Sequence, residues 1–238
     1  MILEVKGIFK RFGNNQVLRN VGFAINEAEI LGLIGPNGAG KTTLFECLAG
    51  VLPADHGHVV SNAGQVEGKR RSSILFYVPD GISPWPDQPV HKALEFCLGF
   101  FGGRRNLYLG VVDDLGLAPF LHKPIGTLSK GQRKRVMLAI GLLSPQQVLL
   151  IDEPFDGLDL RQSREAAAAL RRHVSGGRTL FISIHQIADA ARVCDRFVLL
   201  SDGRVVGEGT LDELNALAGR RLGQPPPLDL EEVFLALT

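Results

Sequence analysis

The chain lacks an excess of either charge: 26 lysines and arginines stand against 25 aspartates and glutamates in 238 residues. That near-balance leaves no global field to hold nucleic acid, and the short runs Lys69-Arg70-Arg71 and Arg171-Arg172 read as solvated faces. Cysteine is scarce as well. Cys47, Cys97 and Cys194 are odd in number and far apart, which excludes a disulfide framework and a cysteine metal site and fits a reducing cytosol. No apolar run approaches the ~18 residues of a membrane span. The opening MILEVKGIFK reads as a strand and not as a signal peptide. A role at a membrane would therefore need a partner that crosses it. The pair His56 and His58 has no third ligand nearby and reads as a surface turn. What the chain does have is 45% hydrophobic residues, ample for the core of one large domain or two small ones.

Those residues are concentrated in four short runs without alternation: ILGLIG from Ile30, SILFYV from Ser73, VLLI from Val148 and TLFISI from Thr179. Continuous apolar runs are what a parallel sheet covered on both faces requires, so the fold class is α/β with a mainly parallel sheet. Each run ends on polar residues: GPNGAGKTT, Pro79-Asp80, Asp152-Glu153 and His185. Ligands of open α/β sheets gather outside the carboxyl ends of the strands, so the four endings are expected to converge on one site.

The first ending is the most specific. Gly35, Pro36, Asn37, Gly38, Ala39, Gly40, Lys41, Thr42 and Thr43 carry the G-x-x-x-x-G-K-[ST] spacing between a strand and the helical stretch TTLFECLAGVL. The glycines let backbone N–H groups close around phosphate oxygens, Lys41 sets a point charge on the β and γ phosphates, and the Thr42 hydroxyl can ligate Mg²⁺. At the third ending, Asp152 is placed to hold Mg²⁺ and Glu153 to polarise an attacking water, which makes the expected activity hydrolysis of ATP. His185 ends the fourth run, where its imidazole could donate to the γ-phosphate.

A puzzle remains in TLSKGQRKR, from Thr127 to Arg135. Ser129 and Gln132 form a capping box, yet cations crowd the end of the helix that is already positive, so an anion should sit there.

Taken in order, GPNGAGKTT, LSKGQ, VLLIDEP, FDGLD and SIHQ resemble the nucleotide-binding subunits of ABC transporters, from Met1 to about Gly219. The resemblance implies a P-loop NTPase (RecA-like) core, an antiparallel β subdomain at the N-terminus and an inserted α-helical subdomain near 81–143, together making a domain of residues 1–220. It implies that Phe12 stacks on adenine. It makes Leu128, Ser129, Lys130, Gly131 and Gln132 a signature loop facing ATP bound by another subunit, the anion that TLSKGQRKR lacks. Asp156, Gly157, Leu158 and Asp159 become the loop linking two sites. The implied assembly is a head-to-tail homodimer, or a heterodimer with a related ATPase subunit, on a transmembrane permease subunit at the cytoplasmic face of the cell membrane, with no nucleic acid. A soluble ATPase of the iron-sulfur cluster assembly type is the alternative.

Two residues depart from the pattern. Asp80 stands where the family usually has a glutamine that touches Mg²⁺, and a carboxylate there could still reach the metal through water. Lys130 stands where glycine is commoner. The proline-rich GISPWPDQP reads as an irregular surface turn, and VHKALEFCLGFF as a buried helix apolar on nearly every side. Trp85 is a candidate contact for the membrane subunit. Residues 221–238 read as a stiff proline linker and an amphipathic helix, capped by Asp229, that docks on its own domain through Leu230, Val233, Phe234 and Leu237. That tail is similar to the C-terminus of ATPases serving ABC-2 type exporters, which implies export.

Overall fold

A computed structural model describes residues 1–223 and 229–238. Among the described residues, ten strands divide into two sheets. The first is antiparallel and is built from β1 (Leu3–Phe12), β2 (Asn15–Ile25), β4 (His56–Ser61) and β5 (Gly64–Gln65), in the order β2-β1-β4-β5. The second combines β3 (Ile30–Ile34), β6 (Leu75–Val78), β7 (Val148–Asp152), β8 (Thr179–Ile184), β9 (Arg196–Ser201) and β10 (Arg204–Gly209), in the order β10-β9-β3-β8-β7-β6. Only the edge strand β10 runs antiparallel to its neighbour.

The apolar runs sit in the second sheet because both of its faces are covered. Alternate side chains serve opposite cores. Leu149, Ile151, Leu180 and Ile182 enter a core with the helices α3 (Val90–Phe101), α4 (Arg105–Asp114), α5 (Lys130–Leu143), α6 (Leu160–Ser175) and α7 (Ile187–Val193). Leu31, Leu33, Leu150 and Phe181 enter the other core, with α1 (Lys41–Ala49) and the first sheet.

Several expectations change in detail. The helix after the phosphate loop stops at Ala49, because Gly50 turns left-handed at φ 77° and caps it, so Val51 and Leu52 lie outside. Ser73 and Ile74 close α2 (Gly68–Ile74) rather than opening a strand. His56 and His58 are not in a turn: they lie on β4, paired with β1, and His56 meets Phe9 edge to face. Arg71 and Arg171 are not merely solvated. Arg71 donates to the carbonyls of Cys47 and Val66, and Arg171 forks onto Asp195 while also bonding the Val193 carbonyl.

The largest difference is α3. Val90, Ala93, Leu94, Cys97 and Leu98 are buried, yet Phe96 and Phe100 are 61% and 78% exposed. One side of the helix faces the core and the other is bare. Residues 81–89 hold no helix or strand, as expected, and Trp85 from that segment stacks edge-on against Phe96 at 5.3 Å.

At the C-terminus α8 (Leu211–Leu222) precedes residues 224–228, where most of the expected proline linker lies outside the described residues. Then α9 (Leu230–Leu237) begins at Asp229, whose carboxylate accepts the N–H groups of Glu231 and Glu232. Leu230, Val233 and Leu237 bury against the chain's own domain, and Arg221 donates to the Leu237 carbonyl at 2.5 Å.

Candidate active site

Strand order and register bring the four endings together. β3, β8, β7 and β6 are consecutive neighbours, with Ile34 opposite Ile184, Ser183 opposite Asp152 and Ile151 opposite Val78. Whatever follows each strand therefore emerges on the same edge of the sheet.

From β3 the chain enters the phosphate loop. Gly38 and Gly40 take φ of 83° and 102°, conformations that a side chain would strain, and Gly40 leads directly into α1. No side chain caps α1 and its first turn holds no acidic residue, so its N–H groups face outward for an anion. Lys41 is 8% exposed, and its ammonium donates to the carbonyls of Gly35 at 2.7 Å and Pro36 at 3.3 Å. Burial pulls its pKa below the usual lysine value, opposed by the negative charge of Glu153 and Asp152. The start of β2 flanks the loop: Asn15, Gln16, Val17 and Gly38 share a cavity. Phe12 ends β1 at the same turn, 49% exposed, with Lys10 over its ring at 5.4 Å. An exposed ring there suits stacking on a base.

At the end of β7, Asp152 is buried and its two oxygens are separately engaged. Oδ2 accepts from Thr42 Oγ1 at 2.8 Å and lies 3.5 Å from the Tyr77 hydroxyl, while Oδ1 accepts from Ser183 Oγ. Burial, then the Asp152 charge, raises the Tyr77 pKa, so the phenol stays a neutral donor. Thr42 and Asp152 present hard oxygen donors side by side, a set that fits Mg²⁺.

Glu153, the next residue, has φ 49°, left-handed backbone that only a few per cent of non-glycine residues adopt. Its carboxylate accepts from the His185 backbone N–H at 3.3 Å and stands 2.7 Å from His185 Nδ1. A carboxylate only accepts, so Nδ1 carries the proton and Nε2 is the ring's other face. In that tautomer Nε2 is an acceptor and does not donate to a γ-phosphate, so the contact the structure shows for His185 is its hold on Glu153.

The signature helix departs from its expectation. The capping box forms: Ser129 Oγ accepts the Gln132 N–H at 3.2 Å and the Gln132 side chain accepts the Ser129 N–H at 3.1 Å. The cations, however, find partners within the chain. Lys134, 8% exposed, meets Asp80 at 2.5 Å, and Lys130 meets Asp156 at 2.6 Å. Arg133 donates to the Leu128 carbonyl and Arg135 to those of Leu115 and Gly116. Own carboxylates answer much of the charge that pointed to a foreign anion. Asp80 bonds the signature helix, and the oxygens of Asp152 are met by Thr42, Ser183 and Tyr77 instead. The hydrogen bond and charge of Lys130 hold the Asp156 carboxyl below its usual range.

Gly131 shows why the signature helix needs glycine. A Cβ on it would stand 2.7 Å from the Gly157 carbonyl and 3.0 Å from Gln162 Oε1. The helix start and the loop from Asp156 to Asp159 are therefore in backbone contact, and Asp159 closes that loop by capping α6 through the Gln162 N–H at 2.8 Å. Lys134, Tyr77 and Ser183 were not singled out from the sequence. Ser183 alone left a signal there, as a polar residue inside an apolar strand run.

Comparison with known proteins agrees with this layout. Residues 18–156 match the family model described as ABC transporter. An ABC transporter ATP-binding protein of Methanocaldococcus jannaschii is 30% identical over 216 residues, 89% of this chain and 79% of that protein. The Nod factor export ATP-binding protein I of Ralstonia nicotianae is 31% identical over 219 residues, 90% of this chain and 68% of its own length. The solved structure of an ATP binding subunit of an ABC transporter superposes with a TM-score of 0.86 at 28% identity, covering 100% of this chain and 99% of that one.

Proposed function

The chain belongs to the ABC transporter family as an ATP-binding, ATP-hydrolysing subunit, and from that premise we propose that it drives export through a separate membrane-spanning subunit. In this reading it works as a head-to-tail pair, either two copies or one copy with a related ATPase. The observation that carries the catalytic part is the bonded constellation on the aligned strand ends, with Thr42 on Asp152 and His185 on Glu153.

Each residue then has a task. The N–H groups of the phosphate loop and the Lys41 ammonium bind the β and γ phosphates, and Phe12 stacks on adenine. Thr42 and Asp152 hold Mg²⁺, which when bound neutralises charge on the phosphate oxygens. Glu153 takes the proton of the attacking water, and His185 fixes the carboxylate. Asp80, given its bond to Lys134, ties the helical subdomain to the site and is assigned to coupling rather than to direct metal contact. Ser129 and its loop face the nucleotide of the other subunit.

Export rests on one support and the membrane partner on another. The Ralstonia relative is a Nod factor export ATP-binding protein. The helical subdomain also bares Trp85, Phe96 and Phe100 on one side, an apolar surface of the kind that partners cover. No described helix is long and apolar enough to cross a membrane, and in this reading a partner supplies the transport path. The test is isolation of the tagged chain from membranes with phosphate release measured on the complex. Co-isolation with a protein of about six spans of ~20 residues, and Mg²⁺-dependent turnover, is expected. A chain that recovers only soluble partners would overturn the transport reading.

A further inference from the structure

We propose that Ser183 is a positioning residue for ATP hydrolysis, its single hydroxyl setting the adjacent Asp152 and Glu153 at different tasks; this rests on the hydrolytic reading above. Ser183 is fully buried on β8, in register with Asp152. Its Oγ does two things at once. It donates to Asp152 Oδ1, and it accepts the backbone N–H of Glu153 at 3.0 Å. A hydroxyl has one proton and two lone pairs, so giving the proton to the carboxylate fixes the rotor and leaves a lone pair for Glu153.

The first consequence falls on Asp152. With Oδ1 committed to Ser183, Oδ2 is the oxygen left to face Thr42 at 2.8 Å. A carboxylate held by one oxygen presents the other in a single direction, which is what a second-layer bond does for a metal ligand.

The second consequence falls on Glu153. Its φ of 49° is strained for a residue with a Cβ, so something must hold it. The bond from its N–H to Ser183 is placed to do so. That turn re-aims the Glu153 side chain out of the strand's alternation and onto His185, 2.7 Å from Nδ1. Two neighbouring carboxylates thereby serve different groups, one the Thr42 oxygen and one the imidazole. Of the phosphate loop only the Thr42 hydroxyl meets this arrangement, while the loop's N–H donors, Lys41 and the signature helix stay outside it. Substitutions at Ser183 should therefore alter turnover and leave nucleotide binding alone.

The test uses the full chain with Ser183→Ala, Ser183→Cys and Ser183→Thr, and Glu153→Gln alongside. Cysteine keeps the volume with a weak donor, and threonine keeps the hydroxyl. S183A and S183C should lower kcat about 10- to 100-fold. ATP affinity in EDTA should stay within about twofold, since the loop's own donors are intact, and S183T should recover kcat at least in part. A crystal structure of S183A or S183C, without nucleotide, should show Glu153 at negative φ and separated from His185. The proposal is overturned if S183A and S183C turn over at the parent rate, or if Glu153 keeps its left-handed turn and its His185 bond without the serine hydroxyl. Equal losses in S183T and S183C, matched by equal falls in melting temperature, would also overturn it, by making the position one of packing alone. If E153Q itself hydrolyses ATP normally, the hydrolytic assignment fails and this proposal with it; if E153Q is dead and S183A is not, only the proposal fails.

Discussion

The strand-end half of the site and the signature half are built from different materials. On the strand ends Lys41, Asp152 and Ser183 are each at most 8% exposed and held by short hydrogen bonds that are buried or part-buried. On the signature side Ser129 and Lys130 are exposed, and the Lys130–Asp156 pair has side chains 62% and 30% accessible. Buried networks in a low dielectric hold geometry firmly, whereas exposed ion pairs contribute about 0–1 kcal/mol and give way readily. The contrast teaches a division of labour. One half is finished by the chain itself, and the other is a surface that a second body can engage.

Substitutions can break that contrast or sharpen it. The largest effect is expected from Glu153→Gln, which removes the proposed proton acceptor and keeps the shape: turnover should fall about 10²- to 10⁴-fold in a phosphate-release assay, with ATP still bound. Normal turnover would mean that the finished half does not hold the base. Next is Lys41→Ala. Loss of a charged donor to phosphate, about 1.5–3 kcal/mol, should weaken ATP binding about 10- to 100-fold by calorimetry while the fold persists.

A smaller effect belongs to the signature side. Lys134→Ala should cost about 1 kcal/mol of stability, because Asp80 is 39% exposed and solvent takes over its charge. ATP binding by the single chain should hold, and the exchange Asp80→Lys with Lys134→Asp should restore the loss. Failure of the exchange would show that these positions matter for something other than their attraction.

The effect smallest at neutral pH lies outside both halves. Burial lowers the His173 pKa from 6.5 to about 4. The unfolded chain takes up a proton there below pH 6.5 while the folded chain does not, so this group's contribution is intact above 6.5 and is lost as pH falls towards 4. Thermal melts of His173→Gln should show a shallower loss across that window, with nucleotide binding at neutral pH unchanged.

Legibility in the sequence follows the same division. The phosphate loop, Asp152, Glu153 and the Asp229 cap could be read because each is a local pattern: a spacing, a strand end or a residue before a helix. Lys134–Asp80, Lys130–Asp156 and Ser183–Asp152 could not, since they depend on which strands are neighbours and in what register, and on how the helical insertion leans back on the sheet. Without those contacts the cations of TLSKGQRKR pointed only outward. The composition of α3 misled for a related reason. An apolar circumference looks the same whether a helix is enclosed by its own domain or reserved for a partner, and Phe96 and Phe100 are bare. The left-handed turn at Glu153 had no sequence signal, because the serine that its N–H bonds lies on another strand.

The account depends most on the signature half being completed by another chain. Sedimentation of Glu153→Gln measures this directly: without nucleotide it should run at the 25.8 kDa of one chain, and with ATP and Mg²⁺ at about twice that mass. Arginine in place of Ser129 should abolish the doubling. A variant that saturates with ATP yet keeps the mass of a single chain, both alone and mixed with any ATPase subunit co-isolated from membranes, would contradict the account.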